Sequence, residues 1–369
     1  DSTTDLVSRS LFLDARASYS QQFITPEGTI DLDNLSDIQN RADVLTYSLS
    51  PYLRQQYGST ANAEYRVSSQ RVEYKETTSV EELNSTTNNA SIMLESGTAF
   101  NQLLWRITYS YNKINYDEQG ADSTLQRELL ALRYRLTPKF AALGNIGYEN
   151  NDYAQVVGED PPSGSIWSAG FAWTPSRRTS LEVTAGERYF GSTGSLNFTH
   201  RTRRTQWSLQ YTEEITSTPE LQAELTGEVG PTGNPLFNVT QTTSVILLER
   251  WQFSFSFDTG KTIITTDLYD NQVEFQTTKE QESTLGATLT WRWRFMPRTS
   301  AVLNTTWYET EPRGSNRTDT LTDAGVSIER QLSRSVTGSL GYGKLTRNSD
   351  VPTAEYERNL ISLVIRAQF

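Results

Sequence analysis

The stretch GATLTWRWRFMPRTSAVLN, residues 286–304, contains two alternating runs of apolar and polar residues separated by a short break. Up to Phe295 every second residue is apolar, and the residues between them are threonine or arginine. A period of two is typical of a β-strand with one apolar and one polar face. Because Pro297 cannot donate to a β-ladder, the break predicts a tight turn between two antiparallel strands.

The same arrangement recurs along the chain, with variants of this turn roughly forty residues apart, which indicates a repeated two-strand unit. The variants are YRLTPKFAAL (134–143), FAWTPSRRTSLEV (171–183) and ERQLSRSVTGSL (329–340). We count about eighteen alternating runs, the first near residue 8 and the last near residue 354. The links between them alternate between tight turns and longer polar, acidic segments, for example residues 20–42, 74–87, 152–164 and 216–240.

The composition argues against several classes of protein. Only 36% of the residues are hydrophobic, yet aromatic residues reach 11%, which argues against disorder. No apolar run is long enough for a membrane helix, and the absence of cysteine excludes disulfides and thiolate metal sites. The net charge of −11 argues against nucleic-acid binding. Because no basic, apolar leader opens the chain, we expect a mature form or a protein that is never exported.

These patterns predict an all-β fold, a transmembrane antiparallel β-barrel of about eighteen strands that forms one domain over residues 1–369. Tight turns at one rim and long loops at the other are typical of bacterial outer-membrane barrels. We therefore expect short periplasmic turns, long acidic extracellular loops, location in the outer membrane and contact with its lipid. The alternatives are a soluble all-β protein and a propeller, but propeller blades contain four short strands per repeat.

In such a barrel the face opposite the lipid lines the lumen, and strand parity predicts that this face is basic. Rings of arginine favour anions, and a guanidinium offers two parallel hydrogen bonds to a carboxylate or phosphate. The acids predicted on the same face are fewer: Asp14, Glu64, Glu95, Glu182 and Glu329. The arginines predicted to line a substrate path are Arg106, Arg133, Arg135, Arg188, Arg201, Arg203, Arg250, Arg292, Arg294 and Arg366, and Arg16, Arg54 and Arg66 share this face. The alternative is that they pair with lumen acids and stiffen the wall.

Other candidate sites are weaker. Tyr52 and Tyr308 are the predicted lumen aromatics that could stack on sugars. The loop acids, such as Asp117 and Glu159, favour a solvated surface over a calcium site because they lack a regular ligand spacing. His200, the only histidine, is expected to face lipid, so we expect no catalytic site, and we predict no metal or cofactor. The loop at residues 216–240 could fold inward as a gate.

Residues 166–218, with a Trp-Pro turn, the strand end GERYFG and an arginine-rich hairpin, together with residues 11–26, resemble the PEP-CTERM system associated outer membrane β-barrel family. That resemblance implies an outer-membrane barrel that accompanies exopolysaccharide biosynthesis loci, with export of the polymer as the suspected role. Phe369, at the end of an alternating run, resembles the C-terminal signal recognised by the barrel assembly machinery.

We therefore expect a channel for exopolysaccharide export, with anionic polysaccharide and periplasmic export proteins as partners. Two alternatives remain open. One is a general or solute-selective porin, and the other is a structural scaffold barrel for a surface or electron-transfer partner.

Overall fold

The structure is a computed structural model. It describes residues 2–7, 10–25, 28, 40–75, 83–117, 122–225, 240–315 and 317–367. The described residues form a single sheet of nineteen strands, with one α-helix and one turn of 3-10 helix at Pro352–Ala354. No helix among these residues is long and apolar enough to span a membrane.

The strands are β1 (Ser2–Val7), β2 (Leu11–Phe23), β3 (Arg41–Tyr57), β4 (Ala61–Lys75), β5 (Ser85–Ser96), β6 (Leu103–Tyr116), β7 (Ser123–Thr137), β8 (Phe140–Asn150), β9 (Ser163–Ser176), β10 (Thr179–Arg188), β11 (Gly191–Arg201), β12 (Thr205–Ser217), β13 (Val245–Asp258), β14 (Thr262–Phe275), β15 (Gln281–Met296), β16 (Thr299–Glu311), β17 (Asp319–Gln331), β18 (Val336–Ser349) and β19 (Tyr356–Ala367). The helix α1 covers Thr218–Leu225.

Each strand pairs antiparallel with its neighbour in sequence, from β1–β2 through β18–β19. This is the up-and-down meander of a β-barrel, and the predicted fold class is confirmed. Strands β2–β19 correspond to the eighteen predicted runs. The short strand β1 was not predicted, and it pairs with β2 from Ser2 opposite Ala15 to Val7 opposite Leu11.

The two faces of the wall differ as the alternation predicts. On the outer face large apolar side chains are exposed, for example Trp291 and Trp293 on β15 at 42% and 46%, and Ile361 on β19 at 77%. The residues that alternate with them point inward, and one of these on β15, Thr288, is buried. Exposed apolar side chains on most strands of the wall form the lipid-facing surface of an outer-membrane barrel.

The links between strands follow the predicted alternation with three exceptions. At the rim of the short turns, residues 97–102 connect β5 to β6, and this link is as long as those from β6 to β7 and from β18 to β19. Only Tyr189 and Phe190 connect β10 to β11, and residues 276–280 connect β14 to β15, although both links lie at the rim of the long loops. The link predicted at residues 216–240 begins with the end of β12 and α1. From the β7–β8 turn to the β17–β18 turn, the short turns contain basic residues and no acid. The basic residues are Lys139, Arg177, Arg178, Arg203, Arg204, Lys261, Arg298 and Arg334.

The clusters of buried apolar residues lie inside the barrel near the long-loop rim. One cluster contains Leu221 from α1 with Ile246, Leu248, Val273 and Phe275 from β13 and β14. The other clusters are Ile24, Ala42, Val44, Val72, Tyr74 and Leu83, and Leu321 and Leu345 with Tyr308 and Tyr356 packed against them. The outer half of the lumen is therefore a packed core, and the cavities with exposed arginines lie in the periplasmic half.

Candidate functional site: the lumen

Nine of the ten predicted lumen arginines lie on strands and on the inner face. Arg292 and Arg294, for example, alternate with the exposed Trp291 and Trp293. Arg203 is the exception, because it lies in the turn between β11 and β12 and not on the wall. The parity of the strands thus places the arginines around the lumen, and what they contact there decides what the lumen can bind.

One cavity in the periplasmic half has a volume of about 880 Å³ and is lined by β5 through β10. Arg106 is paired with Glu95 at 3.2 Å, and Arg133 is paired with Glu182 at 2.5 Å. Arg135 donates to the carbonyl oxygen of Asn101 at 2.9 Å. Three predicted guanidinium groups in this cavity therefore already have partners, which agrees with the alternative of a stiffened wall at these positions.

The pair between Arg133 and Glu182 spans three ladders, since Arg133 is on β7 and Glu182 is on β10. The inner face between them carries Ala141 on β8 and Ala172 on β9, which are ladder partners of each other. Ala172 is also the ladder partner of Glu182. Because the alanine side chains on these two strands are short, the long arginine side chain can reach the carboxylate across them.

A second cavity of about 290 Å³ lies at the periplasmic mouth between β15 and β19. Arg292 and Glu329 form a pair across it at 2.5 Å. Arg334 and Arg366 also line it, and neither forms an ion pair within the described part of the chain. Arg201, Arg203 and Arg294 likewise form no ion pair among the described residues. The basic groups that are open to a ligand therefore lie close to the periplasmic rim.

The predicted sugar platforms are already occupied by protein contacts. Tyr52 stacks on Phe12 with 5.0 Å between ring centroids, and the guanidinium of Arg66 lies 3.9 Å from the centroid of Tyr52. Arg66 is fixed in turn by Asp14 at 3.0 Å and Glu64 at 3.1 Å. Tyr308 packs against Leu321 and Leu345. Neither tyrosine presents a free ring face.

The outer half of the lumen is crossed by α1, which follows β12 and contacts β5 on the far wall. Gln70 on β4 donates to the carbonyl oxygen of Pro219 at 3.4 Å, and Leu221 is buried against β13 and β14. This observation agrees with the prediction that the segment beginning at residue 216 folds inward. Residues 226–239 lie outside the described residues.

Below α1 lies a charged cluster around a small cavity of about 160 Å³. Arg188 donates to both carboxylate oxygens of Glu149, and both side chains are almost completely buried. Arg127 lies 3.7 Å from the same carboxylate, and Glu214 and Glu220 also line the cavity. The predicted lumen residue Arg188 is therefore part of a buried ion-pair network that ties β7, β8 and β10 together.

Ile24 and Gly28, which are described residues of the link between β2 and β3, also lie in the lumen. Arg347 on β18 donates to the carbonyl oxygen of Gly28, and to Asp319 on β17 at 2.6 Å. Gln241 donates its backbone N–H to the carbonyl oxygen of Ile24 at 3.1 Å and accepts from the Tyr74 hydroxyl at 3.0 Å. The described residues of these two links are thus joined to each other and to the wall.

The inner face carries more acids than the five that strand parity predicted. Sequence parity missed several acids on the inner face or on α1, and they are Glu149, Glu214, Glu220, Glu282, Asp319 and Asp323. All of them lie toward the long-loop rim. The lumen is therefore basic in its periplasmic half and mixed in charge in its outer half.

The remaining candidates have ordinary structural contacts. The Arg71 guanidinium, hydrogen-bonded to Asp117 at 2.7 Å, lowers the pKa of that carboxyl group. Glu159 lies 3.9 Å from Lys279, and His200 lies on the outer face, with Nδ1 2.9 Å from Oγ1 of Thr179. No group of three or more potential metal ligands occurs among the described residues. The predicted assembly signal Phe369 lies outside the described residues.

Comparison with known proteins gives the fold. No family model and no curated protein matches the chain. Among solved structures, the chain is similar to the siderophore receptor PirA from Acinetobacter baumannii, with 8% identity, a TM-score of 0.53 and coverage of 98% of this chain and 69% of that one. The siderophore receptor PiuA from the same organism has 8% identity, a TM-score of 0.52 and coverage of 97% and 71%. The chain is therefore a transmembrane β-barrel of the bacterial outer membrane.

Proposed function

We propose that this barrel is a channel for export of an anionic exopolysaccharide across the outer membrane, and that the structure represents its closed state. The observation that carries the proposal is the set of lumen arginines near the periplasmic rim that have no acidic partner among the described residues, chiefly Arg294, Arg334 and Arg366. A guanidinium in a narrow channel interacts with an anion more strongly than one on an open surface. Membership in the PEP-CTERM associated family, which residues 166–218 resemble, is part of this proposal.

The polymer enters from the periplasm in this proposal, and the outer half acts as the gate. The helix α1 and the described part of the β2–β3 link at Ile24 and Gly28 must both move before a chain can leave, because they lie in the lumen. Energy for transport comes from elsewhere in the cell envelope, and the barrel itself performs no chemistry. A general porin fits less well, since a porin of this size holds a water-filled lumen.

A structural scaffold is the second candidate function, because a packed outer half is also what a permanently sealed barrel would show. The scaffold reading needs no opening and no polymer. The two functions differ in one measurable property, which is whether ions pass after the packed segments are removed.

The test is single-channel current and ion selectivity of the refolded barrel in a planar bilayer, in the intact chain and in a variant with residues 219–239 replaced by a Gly-Ser linker. We expect rare openings in the intact chain and a larger, anion-selective current in the linker variant. Arg292→Ser with Arg294→Ser should weaken that selectivity. Lys113→Ser with Lys344→Ser, which removes the same charge from the outer face, is the matched control and should leave it unchanged.

A linker variant that stays closed would overturn the channel and leave the scaffold. A current that is cation-selective, or whose selectivity is unaffected by the arginine substitutions, would remove the basic lumen as the basis of selection.

A further inference from the structure

We propose that the cavity at the periplasmic mouth between β15 and β19 is a binding site for an anionic sugar unit. This inference rests on the proposed function, which it deepens by assigning the place where the polymer is first recognised. Its residues are Arg292 on β15, Glu329 and Gln331 on β17, Arg334 and Ser335 at the following turn, Thr337 and Ser339 on β18, and Val364 and Arg366 on β19.

The size of the cavity suits a small ligand. Its volume of about 290 Å³ lies near the lower end of the range for small-molecule sites, which is roughly 300–1,000 Å³. It lies on the inner face near the periplasmic rim, outside the packed outer half. A ligand can therefore reach it from the periplasm while the outer half is closed.

The charge of the lining selects an anion. It contains three guanidinium groups and one carboxylate, and that carboxylate is held by Arg292 at 2.5 Å. Arg334 and Arg366 have no ion-pair partner within the described ranges. Two guanidinium groups facing one cavity can each give parallel hydrogen bonds to a carboxylate or phosphate, which an ammonium group cannot do.

The uncharged part of the lining selects a hydroxylated ligand. Ser335, Thr337 and Ser339 supply hydroxyl groups that can donate and accept, and Gln331 adds an amide. Val364 is the only apolar side chain among the lining residues. An apolar or aromatic ligand would find little to pack against here, whereas a sugar presents the hydroxyl groups that these side chains can pair with.

The strands hold most of the site in place. Arg366 is the ladder partner of Thr337, and Ser339 is the ladder partner of both Val364 and Glu329. Side chains opposite each other in a ladder share a face and keep a fixed spacing. Arg334, in the turn after β17, is the one charged group that can adjust to the ligand.

The larger cavity between β5 and β10 is less suited to an anionic sugar. Its Arg106 and Arg133 are paired with acids, and Arg135 is bound to a backbone carbonyl. Its lining also includes Trp105, Leu132 and several other apolar residues. An anion there would have to displace existing pairs, which the smaller cavity does not require at Arg334 and Arg366.

The test is calorimetric titration of the full-length refolded barrel in detergent at fixed ionic strength. The probes are an oligogalacturonate, a neutral malto-oligosaccharide of equal length and a glucose phosphate. We expect the anionic sugars to bind and the neutral oligomer not to bind. Arg334→Gln with Arg366→Gln should weaken binding by at least about tenfold, because hydrogen bonds to charged groups contribute roughly a decade of affinity each.

Two further variants keep the result interpretable. Arg177→Gln with Arg204→Gln removes the same charge from rim turns outside the cavity, and we expect a smaller loss. Arg334→Lys with Arg366→Lys keeps the charge but not the planar donor pair, and we expect an intermediate affinity. Heat-modifiable mobility of each variant in gels shows that the barrel has folded.

Preference for the uronate or for the phosphate identifies the acidic group of the ligand, and either supports the site. Equal binding of the neutral oligomer, an equal loss in the rim control, or no binding of any anionic sugar would overturn it. Binding does not require an open channel. A barrel that binds but never conducts would therefore refute export and keep the site, and one that conducts without binding would refute the site alone.

Discussion

Arg347 and Gly28 are 319 residues apart in the chain, and the guanidinium of Arg347 donates a hydrogen bond to the Gly28 carbonyl oxygen inside the barrel. The same guanidinium pairs with Asp319 at 2.6 Å, and the two side chains are only 2% and 4% exposed. Arg317 holds the other oxygen of Asp319 at 2.7 Å. A buried ion pair on the wall therefore holds the arginine that binds Gly28, a described residue of the β2–β3 loop, in the lumen.

Replacing Arg347 should loosen this loop. In Arg347→Gln the carboxylate of Asp319 loses one of its two buried partners, and breaking a buried pair costs about 3–5 kcal/mol. We expect more frequent openings in single-channel recordings and a lower unfolding temperature. Lys344→Gln, on the outer face of the same strand, is the control, because its pair with Glu357 is exposed. Equal opening rates in the two variants would show that this contact does not hold the loop.

The contact of α1 with the wall makes a second prediction. Leu221 is buried against Ile246 and Phe275, and truncating a buried leucine to alanine costs about 2–5 kcal/mol. We expect Leu221→Ala to raise the mean conductance, since α1 crosses the lumen. Leu268→Ala removes a lipid-facing leucine from β14 and should leave the current as it is. A current unchanged by both substitutions would exclude α1 as part of the gate.

Glu329 should limit the anion selectivity of the periplasmic half. It neutralises Arg292 at 2.5 Å, so Glu329→Gln leaves that guanidinium free to attract anions. In the linker variant lacking residues 219–239 we expect the reversal potential to shift further toward that of chloride. Glu128→Gln, on the outer face of β7, is the control for net charge. A shift of the same size in the control would mean that the selectivity reflects overall charge and not the lumen.

The alternation around Trp291 and Arg292 was enough to predict the strands, because each strand buries or exposes one face and the pattern is local. Strand β1 was missed because Ser2–Val7 is too short to show a period of two. The predicted positions of the arginines were mostly right for the same local reason. Their partners were not predictable, since the reach of Arg133 to Glu182 depends on two alanines on the strands between them.

The packing in the outer half of the lumen could not be predicted from the sequence. Long polar loops are expected in water, and nothing local in the sequence marks the loop containing Ile24 and Gly28 as one that enters a barrel. Its position depends on Arg347 and Gln241, which lie hundreds of residues away. Contacts between such distant residues cannot be inferred from a local pattern.

Acid should loosen the link between two outer loops. Arg313 donates to Glu280 at 2.5 Å and its guanidinium lies 4.6 Å from the ring centroid of Phe275. That hydrogen bond, with one from Thr278, lowers the pKa of Glu280 below its usual 4.5. The stabilisation is therefore present above about pH 4.5 and is lost as the pH falls through the lower pKa of the folded state.

The chain has no cysteine, so a spin label at Ser315→Cys reports on this loop alone. We expect its mobility to rise on acidification in the wild type. In Glu280→Gln the mobility should be high at neutral pH and independent of acid. A label whose mobility responds to acid equally in both proteins would assign the response to another group.

The assignment of faces can be tested at two adjacent residues of β8. Ile146 points outward and is 60% exposed, whereas Asn145 points into the cavity of about 880 Å³. An arginine on the lipid face near the midplane costs about 2–4 kcal/mol in outer-membrane barrels. We expect Ile146→Arg to lower the free energy of unfolding in lipid vesicles by this amount. Asn145→Arg should lower it far less, because the cavity is polar and large enough for the side chain, and the reverse order would mean that the lumen and lipid faces have been exchanged.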